Sequence, residues 1–317
     1  MEEIIKDKGF TTFEQQIKIL KGRNLKFVSE ETALNSLRRD GYYSIINGYK
    51  DPYVEIIDGK EEYKEGITFE QIYSLFSLDK QVRSRLMDSM LEFESNLRTA
   101  VAHTLGESFT ADQTSYLSRK NFRLGKQRAN GQYQLDDILT KFNKILLDDV
   151  QPIKHYRETY KNVPPWILLK GASFGNLVNF VKLLKPTEKE RVISLMYDIP
   201  ISIVNANDEL KNLFMDTLFV CLDYRNRAAH GGRIYNYKSD SKFRYNKLLH
   251  NELNISPADC RVGNGDTGLV PLLGALKLID NRNPFITLRV AFELFLEEHC
   301  DIYPEDKTYL EQYIKLL

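Results

Sequence analysis

An amphipathic segment from Phe69 to Leu105 reads FEQIYSLFSLDKQVRSRLMDSMLEFESNLRTAVAHTL. Its apolar residues recur every three or four positions, which is the period of an α-helix with one face turned toward a core. Thr68 directly precedes the segment and can accept a hydrogen bond from the first turn, so we expect it to cap this helix. Segments with the same period lie on both sides, and no internal repeat or low-complexity tract interrupts them. The sequence therefore predicts an all-α fold.

The helical period also locates the remaining elements. A helix should begin at about residue 12, with Thr11 or Thr12 as its cap, and further helices are expected at residues 30–39, 134–160, 173–184, 187–197, 206–229, 270–280 and 285–300. The tyrosine-rich stretch from Tyr42 to Ile57 contains Asn-Gly and Asp-Pro turn signals, so we expect a packed loop with one small extended element near residue 55. The domains predicted are an N-terminal helical and extended module at 1–66, a helical domain at 67–250, and a C-terminal helical extension at 251–317 packed on it.

The charge balance limits how this chain can bind a partner. Its 317 residues include 44 basic and 44 acidic side chains, so the net charge is zero and any binding of a polyanion must come from local patches. Its three cysteines lie far apart in sequence, at positions 221, 260 and 300, which argues against a disulfide framework and against a zinc site. The first residues lack the pattern of a signal peptide, and no apolar run reaches transmembrane length. We expect a cytoplasmic protein with no membrane segment, no bound metal and no cofactor.

One short stretch concentrates the side chains that phosphate chemistry requires. Residues 224–236 read YRNRAAHGGRIYN and follow directly on an apolar run. The guanidinium of Arg225 offers a donor-rich cationic fork that fits a phosphate, and the imidazole of His230 can give or take a proton near neutral pH. On a helix Asn226 and His230 share a face because they are four residues apart, and the two glycines after His230 should end that helix. Such a set can cleave an RNA phosphodiester without a metal, with the neighbouring 2′-hydroxyl as nucleophile.

The spacing of arginine and histidine alone is weak evidence, because it occurs three times in this chain. Arg98 and His103 lie inside the amphipathic segment, where Glu94 offers Arg98 an ordinary ion pair, which should contribute little to stability if that helix face is exposed. Arg244 and His250 lie in a polar, irregular segment. We expect neither copy to be a second active site. The two other histidines, at positions 155 and 299, stand alone and are expected at surface or helix-flanking positions.

Four ordered blocks of this sequence resemble the Abi-like (AbiD/AbiF) proteins of bacterial abortive-infection defence. The blocks are LRRDGYYSIINGY at 37–49, the segment 69–98 with Leu78-Asp79 and the Glu94/Arg98 pair, PPW at 164–166 followed by SFGNL at 173–177, and RN at 225–226 with His230 and RIYN at 233–236. The resemblance covers about residues 10–240. Residues 241–317 match no pattern that we can place, so their role stays open.

The resemblance implies membership of the HEPN superfamily, whose helical-bundle domains include metal-independent ribonucleases built on Arg-polar-x3-His. The chain is also similar to the nuclease domains of RNA-guided type VI CRISPR effectors. By this resemblance Arg225, Asn226 and His230 are the catalytic residues, and the fold is a HEPN-type bundle with additional N-terminal and C-terminal helical elements. Dimeric HEPN nucleases bring two such motifs to one cleft, so a two-fold homodimer is expected here as well.

Two basic stretches with interleaved aromatic residues are candidates for contact with single-stranded RNA, since cations hold its backbone and flat rings stack on its bases. The first is an exposed loop at 119–128 and the second runs from 233 to 247. A solvated charged loop is an equally good interpretation of the first, whereas the second adjoins His230. The expected RNA-binding residues are Lys120, Arg123, Lys126, Arg128, Arg227, Arg233, Lys238, Lys242 and Arg244.

Three hypotheses for function follow. The first is a metal-independent endoribonuclease of phage defence that cleaves single-stranded RNA. The second is a non-catalytic RNA-binding protein of the same fold, working in a ribonucleoprotein with a structured non-coding RNA. The third is a toxin whose activity a partner holds off. The intact Arg-Asn-x3-His favours the first, because a protein that only binds RNA needs no titrating group beside the arginine.

Overall fold

The computed structural model describes residues 9–313, and most of this part of the chain is α-helical, which confirms the predicted all-α class. The α-helices are α1 (Phe13–Lys21), α2 (Glu30–Asp40), α3 (Phe69–Phe109), α4 (Gln113–Tyr116), α5 (Gln134–Leu146), α6 (Ile153–His155), α7 (Pro165–Leu168), α8 (Phe174–Leu183), α9 (Pro186–Tyr197), α10 (Ile201–Asn205), α11 (Asp208–Ala229), α12 (Lys247–His250), α13 (Pro257–Arg261), α14 (Leu269–Lys277), α15 (Asn283–Ile302) and α16 (Lys307–Glu311). Short 3₁₀ turns lie at Asp51–Tyr53, Arg119–Asn121, Leu169–Gly171 and Pro304–Asp306, and π turns at Tyr43–Asn47 and Tyr156–Tyr160.

The chain separates into two compact units. One contains the residues up to Val82 together with Glu293–Gln312, and the other contains Arg83–Phe292 together with Tyr313. The boundaries of compact units do not show where independently folding domains begin. The three-part domain organisation expected from the sequence therefore stays a prediction.

In the first unit the local sequence signals act as expected. The side chain of Thr12 accepts a hydrogen bond from the backbone of Gln15, whose own side chain accepts one from Thr12, so a capping box starts α1. Thr68 accepts a hydrogen bond from the backbone N–H of Gln71 at 3.2 Å at the start of α3. The extended element near residue 55 is a hairpin of β1 (Val54–Ile57) and β2 (Lys60–Tyr63), antiparallel, with Val54 opposite Tyr63.

The prediction for the start of the tyrosine-rich stretch is wrong. Tyr43–Asn47 forms a π turn and Asp51–Tyr53 a 3₁₀ turn before the chain extends into β1. Asn47-Gly48 therefore ends the π turn, whereas Asp51-Pro52 begins the 3₁₀ turn, because proline fits the first positions of a helical turn.

His299, expected at a surface or helix-flanking position, lies in the last turn of α15, but it is not at the surface. It is 2% exposed, and its Nδ1 lies 2.8 Å from Ser74 Oγ while its Nε2 lies 3.0 Å from Asp306 Oδ2. Tyr53 donates to the same carboxylate at 2.6 Å. Burial of an imidazole is tolerated because each ring nitrogen has a hydrogen-bonding partner.

In the second unit, α3 and α5 both pack against α8, and α8 in turn packs against α11. Phe93 contacts Phe174 with the ring centroids 6.3 Å apart, and Phe142 contacts Phe180 at 5.0 Å, both edge to face. These rings are completely buried, so this part of the core fixes α8 and, through it, the face of α11 on which it packs.

The single helix expected at 134–160 is two helices. α5 ends at Leu146, and the chain resumes helical turns only at Ile153, after Pro152. Proline lacks a backbone N–H and its ring clashes with the preceding turn, which explains the break. The other predicted helices appear within a few residues of their expected bounds, although 206–229 begins at Asp208, where the side chain of Asn207 accepts from Leu210 N at 3.0 Å.

Over residues 9–313, no helix is both long and apolar enough to cross a lipid bilayer. In the same residues, no three His, Cys, Asp or Glu side chains are grouped so that they could hold a metal ion.

Candidate functional site

The last turn of α11 presents the candidate catalytic residues. Tyr224 and Ala228, four residues apart, are buried and hold one face of this turn against the core. Asn226 and His230 lie on an exposed side, and the backbone N–H of His230 donates to Asn226 O at 3.1 Å. His230 therefore lies one turn beyond Asn226, and the shared face expected from the sequence is present.

Two glycines end α11 directly after His230. Gly231 has a φ of +70°, in the left-handed region that glycine adopts without strain, and its N–H donates to Ala228 O at 3.0 Å. Gly232 N donates to Arg227 O at 2.9 Å, and Arg83 Nη1 donates to Gly232 O at 3.4 Å. Because several hydrogen bonds hold this turn, the backbone that carries His230 is fixed.

Arg227 is part of that turn. Its Nε donates to Arg233 O at 3.2 Å, and its guanidinium carbon lies 5.1 Å from the ring centroid of Tyr237. A Cβ at Gly232 would come within 2.2 Å of Arg227 Nε, so only glycine leaves room for this guanidinium. Arg227 thus contributes to the structure of the helix end.

Arg225 has a different environment. It is partly buried, and its Nε is fully buried without a hydrogen-bonding partner. Within residues 9–313, none of the side chains of Arg225, Asn226 and His230 makes a hydrogen bond or an ion pair. A buried donor without a partner is rare in proteins, because leaving it unsatisfied costs about 1–3 kcal/mol, and more for a charged group. The guanidinium of Arg225 therefore has no counter-charge among the described residues and can bind an anionic ligand.

Two of the RNA-binding residues expected after His230, Lys242 and Arg244, form ion pairs with aspartates. Lys242 Nζ lies 2.7 Å from Asp266 Oδ2, and Arg244 Nη2 lies 2.9 Å from Asp216 Oδ1, so both charges are locally balanced. The hydrogen-bonded carboxylate of Asp216 raises the pKa of Arg244. Lys238 is exposed, and Arg233 lies over the ring of Tyr235 at 5.6 Å. None of these positions has been tested for RNA contact, so their assignment stays a prediction.

In the basic loop at 119–128, too, only some of the cations form ion pairs with the described residues. Arg128 pairs with Asp137 at 2.5 Å, and Arg119 with Asp136 at 2.9 Å. Lys120, Arg123 and Lys126 are exposed and form no ion pair with any side chain of the described residues.

Sequence reasoning missed the lysines that lie against this loop. Lys182, Lys185 and Lys189 come from the end of α8 and the start of α9, and Lys185 Nζ donates to Lys120 O at 2.6 Å. The sequence shows only that these lysines are spaced as on a helix. It does not show that they lie against the loop at 119–128, because the two segments are more than fifty residues apart in the chain.

The two other arginine–histidine pairs have structural partners. Arg98 donates to Glu94 at 2.5 Å and to the carbonyls of Leu169 and Ala172 at 2.7 and 3.2 Å. The expected ion pair with Glu94 is present, but it is largely buried rather than exposed, with side-chain exposures of 22% and 8%. His250 is completely buried, and its Nε2 lies 3.1 Å from Gly265 O.

A family model described as Abi-like protein matches residues 35–236. The chain belongs to the Abi-like family. The matched span includes all four of the quoted sequence blocks, and it ends just after the helix end that carries His230. No curated protein and no solved structure matched the chain significantly. Family membership indicates abortive-infection defence as the broad role.

Proposed function

We propose that this protein is a metal-independent endoribonuclease of the HEPN type, which acts in the bacterial cytoplasm during phage defence and cleaves single-stranded RNA. The observation that carries the proposal is the end of α11, where the unpartnered guanidinium of Arg225 lies five residues before the exposed His230 and Asn226 lies one helical turn before it. Membership of the Abi-like family supports the context of defence.

In the proposed reaction, the 2′-hydroxyl oxygen attacks the adjacent phosphorus and the bond to the 5′-oxygen of the next nucleotide breaks. His230 takes the hydroxyl proton or returns a proton to the leaving oxygen. Arg225 stabilises the additional negative charge that develops on the phosphorane, because its donors are already positioned and need no other partner. Asn226, on the same face as His230, orients the substrate or the imidazole. The products carry 2′,3′-cyclic phosphate and 5′-hydroxyl ends.

Transfer at phosphorus benefits from a base and an acid on opposite sides of the reacting atom, whereas this chain offers one convincing histidine. We therefore include in the proposal a two-fold homodimer in which both His230 side chains face one cleft. Wild-type protein mixed with an excess of His230→Ala under exchange conditions should lose activity faster than simple dilution. A monomeric mass at working concentration with full ribonuclease activity would contradict the shared site.

The function itself is tested by incubating wild type and His230→Ala with total bacterial RNA in EDTA and sequencing the new ends. His103→Ala is the matched control, since His103 is exposed and follows an arginine at the same spacing. We expect wild type and His103→Ala to generate the same ends, and His230→Ala to generate none. Binding of RNA without any cleavage would favour the ribonucleoprotein hypothesis, and activity that appears only after removal of a copurifying protein would favour the partner-regulated toxin.

A further inference from the structure

Two basic segments that are far apart in sequence meet on the surface of the second unit. Arg123 N donates to Leu183 O at 2.8 Å, and Phe122 pairs with Leu184 in an isolated antiparallel bridge. These backbone contacts fix the loop beside the α8–α9 junction. The five cationic side chains that this contact brings together are Lys120, Arg123, Lys182, Lys185 and Lys189, which we name the basic patch.

The cations of the basic patch are close enough to repel one another. Lys189 Nζ donates to Lys182 O at 3.0 Å, and Lys185 Nζ donates to Lys120 O at 2.6 Å, so both ammonium groups use carbonyl oxygens where carboxylates would balance their charge. Burial lowers the pKa of Lys189, and the nearby positive charges of Arg123 and Lys182 lower it further.

Acidic partners are missing from the basic patch. No carboxylate of the described residues forms an ion pair with its five cations, and Glu188, which falls between Lys185 and Lys189 in sequence, has a buried Oε2 without a hydrogen-bonding partner. Glu190 pairs with Lys211, which lies outside the basic patch. The adjacent arginines at 119 and 128 differ, since each holds an aspartate. Like charges that are kept together without counter-charges destabilise a fold, so the arrangement fits a surface that an anionic ligand neutralises.

The basic patch lies beside the helix that carries the candidate catalytic residues. Lys182 Nζ is 5.5 Å from the ring centroid of Phe219 on α11. Asn226 and His230 follow Phe219 by seven and eleven residues, so they lie near the same face of the helix, about 10 and 16 Å further along it. A polyanion on the patch can therefore continue along this face of α11 to Asn226 and His230.

We propose that the basic patch binds the phosphate backbone of the RNA substrate, independently of base sequence, and leads the strand to the end of α11. This inference rests on the proposed function for the identity of the ligand. It adds Lys182, Lys185 and Lys189 to the RNA-binding surface, and it assigns to Arg119 and Arg128 a structural role in their aspartate pairs.

The test measures binding of fluorescein-labelled oligouridine at several salt concentrations, in the His230→Ala background so that no cleavage interferes. The patch variant carries Lys182→Gln, Lys185→Gln and Lys189→Gln. The matched control carries Lys144→Gln, Lys161→Gln and Lys170→Gln, which removes the same charge from exposed lysines that form no ion pair within residues 9–313.

We expect the patch variant to bind more weakly and its plot of log K against log salt to be less steep by about 2, since each phosphate contact of a single strand contributes about 0.7 to the slope. The control should keep the parental slope. Because Lys189 is partly buried, the double variant Lys182→Gln/Lys185→Gln separates binding from folding, and its slope should be less steep by about 1.4.

An unchanged slope in a folded patch variant, or an equal change in the control, would overturn the proposal. Failure of the proposed nuclease function gives a different result. In that case oligouridine would still bind through the basic patch, while wild-type protein would leave RNA intact in EDTA.

Discussion

Arg225 and Arg98 each precede a histidine by five residues, and the structure places them in opposite situations. Arg98 donates to the carboxylate of Glu94 and to two backbone carbonyls, so its donors are used inside the fold. Arg225 has a buried Nε without any partner and lies next to exposed Asn226. The comparison teaches that the spacing of arginine and histidine does not determine the chemistry. The two pairs differ in whether the guanidinium already has hydrogen-bonding partners within the protein.

The largest effect should come from removal of the unpartnered guanidinium. Arg225→Ala is expected to lower the rate of RNA cleavage by a factor of ~10²–10⁴, the typical loss when one charge-stabilising or proton-transferring group is deleted. The thermal unfolding temperature should stay near that of wild type, since no hydrogen bond or ion pair of this side chain within the described residues is lost and a buried unpaired donor is removed. Single-turnover cleavage and a melting curve on the same preparation check both parts. A melting temperature that falls sharply while the cleavage rate is retained would reverse the roles assigned to the two arginines.

Arg98→Ala should give the opposite result. It leaves the carboxylate of Glu94, which is 8% exposed, without its partner, and it also leaves the carbonyls of Leu169 and Ala172 without a donor. Breaking a buried pair of this kind costs about 3–5 kcal/mol of unfolding free energy. Urea denaturation measures the loss, and cleavage per folded molecule should be unchanged. A stability change below about 1 kcal/mol would mean that the pair behaves as the exposed one expected from the sequence.

Gly232→Ala tests whether the turn after α11 needs room for Arg227. The added Cβ would lie 2.2 Å from Arg227 Nε, so Arg227 must leave its position over Tyr237 and His230 loses part of its support. We expect a loss of about 1–2 kcal/mol in stability and a lower cleavage rate. Gly9→Ala is the control, because Gly9, like Gly232, lies outside the left-handed region, but a Cβ there meets no atom within 4 Å. Equal effects of the two substitutions would leave the crowding argument without support.

The smallest effect concerns the pH dependence of RNA binding at the basic patch. Burial, Arg123 and Lys182 lower the pKa of Lys189, so the free protein loses this proton at a lower pH than an ordinary lysine does. Phosphate favours the charged ammonium, so affinity should fall as the pH rises through that lowered pKa. Lys189→Gln should remove this component of the pH profile, and Lys170→Gln should retain it. Identical profiles for the two variants would show that Lys189 does not face the phosphate.

The sequence predicted the elements that depend on local patterns. The apolar period of α3 and its cap at Thr68 were both correct, since each depends on residues within one or two turns. The break near Pro152 is just as local, but the apolar residues on both sides of it kept the helical period and concealed it. His299 could not be placed, because Ser74, one of the residues that stabilise its buried ring, lies 225 positions away in sequence.

The sequence identified the residues of the candidate site, but it did not predict which of their side chains lack hydrogen-bonding partners. Arg225, Asn226 and His230 stand out in sequence because glycines follow them and an apolar run precedes them. Which of Arg225 and Arg227 keeps free donors depends on how the turn at Gly232 folds back, and no spacing rule contains that information. The basic patch likewise requires the contact between Arg123 and Leu183, which only the tertiary structure provides.

The central claim is that the end of α11 cleaves RNA without a metal. The most direct measurement is the identity of the ends formed when wild-type protein and His230→Ala act on one defined single-stranded RNA in EDTA, determined by mass spectrometry. The account predicts 2′,3′-cyclic phosphate and 5′-hydroxyl ends from wild type and an intact substrate with His230→Ala. Cleavage that survives His230→Ala unchanged, or that requires Mg²⁺ and leaves 5′-phosphate ends, would contradict it.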